Sequence, residues 1–131
     1  MTIVVSSTVL DALVGEAVSA FPREACGLLF GSGEAITGWR PAANVHSTPN
    51  THFEIDPQAL IDAYRAARNG GPRLVGYYHS HPTGPPRPSA TDQSLADADG
   101  MVWAIVGEGR VTLWRAGHDG LTPLPIHVTG A

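Results

Sequence analysis

Between His81 and Pro88 the chain places four prolines and a glycine, and no other segment limits its folding as tightly. Proline cannot donate to a strand ladder, and it holds its own φ near −65°. The run Leu74 to His79 therefore reads as a strand that ends here, and the chain returns through a stiff loop to Ser89. Ser89-Ala90-Thr91-Asp92 then has the form of a helix start, with serine as cap and an acidic residue in the first turn.

Around that pivot the periodicity predicts a regular order of elements. Thr2 to Val5 is a short β-branched run and reads as an edge strand. Ser6 and Ser7 offer an N-cap to a helix that repeats Leu10, Leu13, Val14, Ala17, Val18 and Phe21 on one face and stops at Pro22. Ala25 to Gly31 reads as a buried strand, with Glu34 to Arg40 as its hairpin partner and Pro41 to Asn50 as loop. Asp56-Pro57 opens a second helix, through Leu60, Ile61, Tyr64 and Ala67 to Asn69-Gly70-Gly71. The helix begun at Ser89 runs about two turns and ends near Asp99-Gly100. Met101 to Val106, Val111 to Arg115 and Leu121 to Val128 read as three closing strands. The order βαββαβαβββ, in one domain over residues 1–131, points to an α+β (α/β-like) fold with a mixed β-sheet and flanking helices.

Composition narrows the function classes. Hydrophobic residues at 43% and charged residues at 15% place the chain among folded domains rather than disordered ones. Eight basic against 12 acidic residues, with no basic stripe, argue against a nucleic-acid partner. All the basic residues are arginines, the habit of a GC-rich bacterial genome, so no lysine ε-amine is available for tagging. The single cysteine, Cys26, excludes a disulfide framework. The longest apolar run, Met101 to Val106, is far short of the ~20 residues of a membrane span. No basic residue precedes Arg23 to form a signal-peptide n-region, so a cytoplasmic location is expected.

The chemistry gathers in Gly76 to Asp92, GYYHSHPTGPPRPSATD. His79 and His81 lie on the same side of a strand, ~6.6 Å apart at Cα, and Ser80 points to the other face. Two imidazoles so placed can share one ion at ~2.0–2.1 Å per bond. Asp92 can add a hard oxygen and leave a fourth position for water, which is the arrangement of a catalytic zinc site rather than a structural one. A His-x-His pair alone is common by chance, and helix capping alone explains Ser89 and Asp92. Their conjunction across a rigid loop is what asks for a metal.

His79-Ser80-His81, seven residues, Ser89, two residues and Asp92 resembles the JAMM (MPN-plus) metallopeptidase motif without gap or substitution. The family's separate glutamate is matched by Glu24 in PREACGLLFG, and looser likeness runs through Asn44, Phe53 and Asp56-Pro57 to the final strands. The resemblance implies the JAMM/MPN, cytidine-deaminase-like fold, with His79, His81 and Asp92 binding one Zn2+ and its water. It implies Glu24 as general base and Ser89 as the residue that steadies the transition state. Without the motif, Glu24 would read as an ordinary exposed residue at a strand start.

Cys26, two positions beyond Glu24, reads as a small buried hydrophobe rather than a redox brake or ligand. His46, His52, His118 and His127 have no partner at ligand spacing and read as surface or packing residues. Small bacterial relatives act on ubiquitin-like sulfur carriers, so the resemblance implies cleavage after the C-terminal Gly-Gly of such a carrier, for example releasing cysteine from a carrier–cysteine adduct. The alternatives are an isopeptidase for another ubiquitin-like tag and a non-catalytic MPN binding scaffold. A zinc deaminase would want a Pro-Cys-x-x-Cys that one cysteine cannot supply. The expected partner is the carrier protein, with no nucleic acid or membrane, and dimerisation is left open.

Overall fold

The computed structural model describes residues 1–130. In chain order the elements are β1 (Ile3–Ser6), α1 (Ser7–Ala20), β2 (Cys26–Gly31), β3 (Ala35–Ala42), α2 (Pro57–Arg68), β4 (Leu74–Ser80), α3 (Ala90–Leu95), β5 (Val102–Gly107), β6 (Arg110–Gly117), β7 (Gly120–Leu124) and β8 (Ile126–Thr129). The strands form one sheet in the order β7-β6-β5-β4-β2-β3-β1-β8. Its ladders are antiparallel except for β1 with β3, β1 with β8, and β4 with β5. The mixed sheet with helices is therefore as the periodicity implied.

Two of the expected strands need correction. Leu121 to Val128 is two strands rather than one, divided at Pro125, which has no N–H to continue a ladder. β7 and β8 lie at opposite edges of the sheet although only Pro125 separates them, so the sheet must curl until its edges approach. The Ile3 N–H donates to the Pro125 carbonyl across that junction. β1 is consequently not an edge strand: β3 and β8 flank it on either side.

α1 sits against the curled sheet, touching β1, β3, β4, β5 and β6. Ser6 caps it by accepting from the Val9 N–H, and Val9 and Leu13 are buried in a core with Ile3, Val5, Leu29, Tyr78 and Val102. Val18 and Phe21, which recur at the same helical spacing, are 73% and 63% exposed. They line an apolar cavity together with His81, Pro82 and Val106.

α2 packs against β4, and Asp56 caps it by accepting from the Gln58 N–H. Its inner stripe is Ala59, Leu60 and Ala63, against Leu28, Phe30 and Leu74. Ile61 and Tyr64, apolar residues of the same helix, are exposed. The small alanines let the helix lie close to the sheet and turn the bulkier residues outward. α3 is only six residues long and ends at Leu95, short of the expected Asp99.

One glycine sets the spacing of the strands that matter most. A Cβ at Gly76 would lie 1.9 Å from the Val102 carbonyl oxygen, so only glycine lets β4 and β5 pair at this register.

Candidate metal centre

β4 delivers His79 in full burial at its end, and His81 follows one residue past the strand. The His81 N–H still donates to the Val106 carbonyl at 2.7 Å, which holds the second imidazole beside the sheet. The return loop is then fixed from three sides. Pro86 is buried, Thr112 Oγ1 on β6 donates to its carbonyl at 2.5 Å, and the loop lies on Gly107 so closely that a Cβ there would come 2.9 Å from the Gly84 oxygen. Gln93 ties α3 to β7 by accepting from the Leu121 N–H at 2.9 Å. Thr112 and Gln93 escaped the sequence reading, because single polar residues on distant strands carry no local signal.

At the end of that path Asp92 meets both histidines. His79 Nε2 lies 3.1 Å from Asp92 Oδ1, and His81 Nε2 lies 3.0 Å from Oδ2. The two Nε2 atoms are 3.3 Å apart. Ligands bound tetrahedrally at ~2.0–2.1 Å stand ~3.3 Å from one another, so three donor atoms already have the spacing of one zinc ion's coordination sphere. His79, His81 and Asp92 are positioned to hold a metal ion, and are the one such group among the described residues.

The surroundings prepare the donors. His81 Nδ1 is 2.9 Å from the Pro85 carbonyl, an acceptor only, so Nδ1 keeps its proton, and Nε2, which donates to Asp92 while the ring is charged, presents its lone pair once the ring is neutral. His79 is packed rather than hydrogen-bonded: Phe53 stacks on its ring, Trp103 meets it edge-on, and its Nδ1 has no hydrogen-bond partner among the described residues. Burial lowers the His79 pKa, against the opposing pull of Asp92. His81, although burial lowers it, is raised on balance by its bonds to Asp92 and the Pro85 carbonyl. Burial acts to raise Asp92, but hydrogen bonds from both histidines and from the Ser89 N–H hold it well below the usual carboxylate range.

Ser89 and Asp92 form a reciprocal capping box. The Asp92 N–H donates to Ser89 Oγ at 3.0 Å, and the Ser89 N–H donates to Asp92 Oδ2 at 2.9 Å. The capping explanation and the metal explanation are thus both true of the same residues: the cap aims the carboxylate. Ser89 Oγ accepts in this bond, so its own O–H stays available as a donor.

Glu24 precedes β2, is only 7% exposed, and lines a cavity of about 200 Å³ together with His81, Thr51, Pro82 and Ser89. Burial pushes its pKa up to about 7; His81 opposes the rise and Asp92 adds to it. The structure thus brings all five motif residues to one place, and Glu24 is no exposed strand-start residue.

The other candidates lie elsewhere. Cys26 donates to the Ala42 carbonyl and packs with Leu28, Phe30 and Ile55, and burial pushes its thiol up to about 12, so it stays protonated. His46 and His52 stack on each other at 4.7 Å, while His118 and His127 are exposed. No described helix is long and apolar enough to cross a membrane.

Comparison with known proteins agrees with this geometry. A family model described as prokaryotic homologues of the JAB domain matches residues 6–117. A desampylase of Haloferax volcanii is 39% identical over 94 residues, which is 70% of this chain and 68% of that protein. A CysO-cysteine peptidase of Mycobacterium tuberculosis is 31% identical over 106 residues, 79% of this chain and 72% of that protein. The solution structure of a protein from Desulfitobacterium hafniense has a TM-score of 0.84 and 28% identity, covering 99% of this chain and 94% of that one.

Proposed function

The chain belongs to the family of prokaryotic JAB-domain homologues, and from that membership we propose that it is a zinc peptidase cleaving the bond after the Gly-Gly terminus of a ubiquitin-like sulfur carrier. The observation that carries the reading is the meeting of His79 Nε2, His81 Nε2 and the Asp92 carboxylate beside a cavity that Glu24 and Ser89 also line. A binding scaffold without chemistry has no need of that convergence.

Zinc held by His79, His81 and Asp92 would polarise the scissile carbonyl as a Lewis acid and bring the pKa of a water toward ~7. The remaining work falls to the chain itself. Glu24, in its ionised form, accepts the proton of the attacking water and later hands it to the departing amine. Its raised pKa makes it a stronger base than an exposed glutamate. Ser89 donates its O–H to the carbonyl oxygen as negative charge develops there. His81 is held in one tautomer by the Pro85 carbonyl throughout.

The substrate class follows from the relatives' names and from the approach to the site. The two relatives are a desampylase and a CysO-cysteine peptidase. An apolar cavity of about 310 Å³ is lined by Val18, Phe21, Val106 and Gly107 and reaches His81. Such a path suits the unbranched tail of a small carrier, since glycine lets the backbone come close to the wall. Incubating the purified protein with a carrier–cysteine or carrier–peptide fusion, with and without chelator, tests the proposal. Cleavage after Gly-Gly that stops on metal removal and returns with zinc is expected, and cleavage that survives complete metal removal rejects it.

A further inference from the structure

We propose that Asn44 is a positioning residue for Glu24, acting by bracing the 44–54 loop between the glutamate and the metal imidazoles. The inference rests on the reading of Glu24 as the base. Asn44 is half-buried, and its amide is used on both ends. The two hydrogens of Nδ2 go to the carbonyls of Glu24 at 3.1 Å and His52 at 3.0 Å, with the Pro49 carbonyl sharing one of them at 3.4 Å. Oδ1 accepts from the N–H groups of His46 and Glu54, both at 3.1 Å. One side chain therefore joins both limbs of the loop to the peptide of the proposed base.

The loop completes the brace on both flanks. Glu24 N–H donates to the Pro49 carbonyl at 2.7 Å, so both polar groups of the Glu24 backbone end on this unit. At the other end Phe53 stacks on His79 at 4.3 Å. The base of the loop is closed by the Asn44–Ile55 bridge and by Val45 N–H donating to the Glu54 carbonyl. Glu24 and His79 come from chain segments more than fifty residues apart, and this loop touches both. Asn44 has no part in the metal group and no place in the cavity that holds Glu24, His81 and Ser89. With Glu24 it lines a neighbouring cavity, and its bonds to the Glu24 and Pro49 carbonyls make the position of Glu24 the route by which it acts on turnover. Misplacing a reacting group by about 1 Å can cost ~10²-fold in rate.

The test combines exchange and kinetics on the zinc-loaded chain. In Asn44→Ala the amide hydrogens of Glu24, His46 and Glu54 exchange faster, bound zinc stays at one per chain, kcat falls about 10–100-fold and KM changes little. In a Glu24→Gln background the same substitution lowers kcat no further. Asn44→Ser, which keeps a hydroxyl, reads the same quantities should the alanine variant fold poorly, and falls between it and wild type. Unchanged exchange at Glu24 overturns the proposal, as does an equal loss in the Glu24→Gln background. Wild-type turnover in Asn44→Ala beside an inactive Glu24→Gln overturns it while leaving the base reading intact. Wild-type turnover in Glu24→Gln removes both.

Discussion

The ring of Phe53 lies against that of His79, centroids 4.3 Å apart and planes 15° from parallel. The contact matters because His79 Nδ1 has no hydrogen-bond partner among the described residues, so packing has to aim Nε2. Metal-binding histidines are more often oriented by a hydrogen bond at the second nitrogen, as His81 is by Pro85.

Phe53→Ala should therefore loosen His79 and weaken zinc retention by about tenfold or more, the scale on which lost support of a ligand is felt. Competition with a chromogenic chelator measures it. Retention equal to wild type would show that Trp103 and the strand suffice to hold the ring.

Glu24→Gln keeps the size and the burial of the side chain but removes the base. It should leave one zinc bound and lower kcat by about 10²–10⁴-fold, the usual contribution of a general base. Metal content and turnover measured on one preparation separate the two effects. A fall in metal content alongside activity would make Glu24 a ligand instead.

Ser89 has two duties that different substitutions separate. Alanine at a serine cap costs about 1 kcal/mol and glycine only a few tenths, whereas both remove the hydroxyl. Ser89→Ala and Ser89→Gly should thus lose kcat alike, by about 10²–10³-fold for a lost oxyanion donor. Only the alanine variant should melt clearly lower. Rates that track the melting temperatures would reduce Ser89 to a cap.

What could be read from the chain before folding was whatever local chemistry enforces. β4 ends at Ser80, within a residue of the end that Pro82 imposes, and the Ser89–Asp92 spacing is that of the capping box found. The motif residues meet because His79 ends a strand that His81 prolongs by one residue, and a capped helix aims Asp92. What escaped depends on partners remote in sequence. Interior placement of β1 requires β8, whose parallel pairing to it has no signal within either strand. The outward turn of Ile61 and Tyr64 depends on how closely the alanines of α2 approach the sheet. Thr112 and Gln93 support the centre from other segments, and each looks ordinary where it stands in the chain, while Phe53, part of the looser likeness, gave no sign of its stacking on His79.

The buried glutamate also makes the stability of the metal-free protein depend on pH, with a sign that can be worked out. Its pKa is raised from 4.5 to about 7 on folding, chiefly by burial. A carboxyl raised in the fold is fully accommodated below its unfolded value, where both states are protonated. Stability is then lost as pH climbs through the folded value, because the native state must ionise a buried group. Asp92 runs the opposite way: it is held low by the histidines and Ser89, so its contribution is present above the unfolded carboxylate value and is lost in acid. Glu24→Gln isolates the first effect. In chelator-treated protein its stability relative to wild type should be small near pH 4.5, rise between pH 5 and 7, and level off by pH 8 at a value on the order of 3 kcal/mol. Denaturant titrations at those pH values measure the difference, and a constant offset would mean that Glu24 ionises in the fold as easily as in the unfolded chain. Saturating zinc places a cation beside the carboxylate and should shrink the gap, because an opposite charge favours the ionised form.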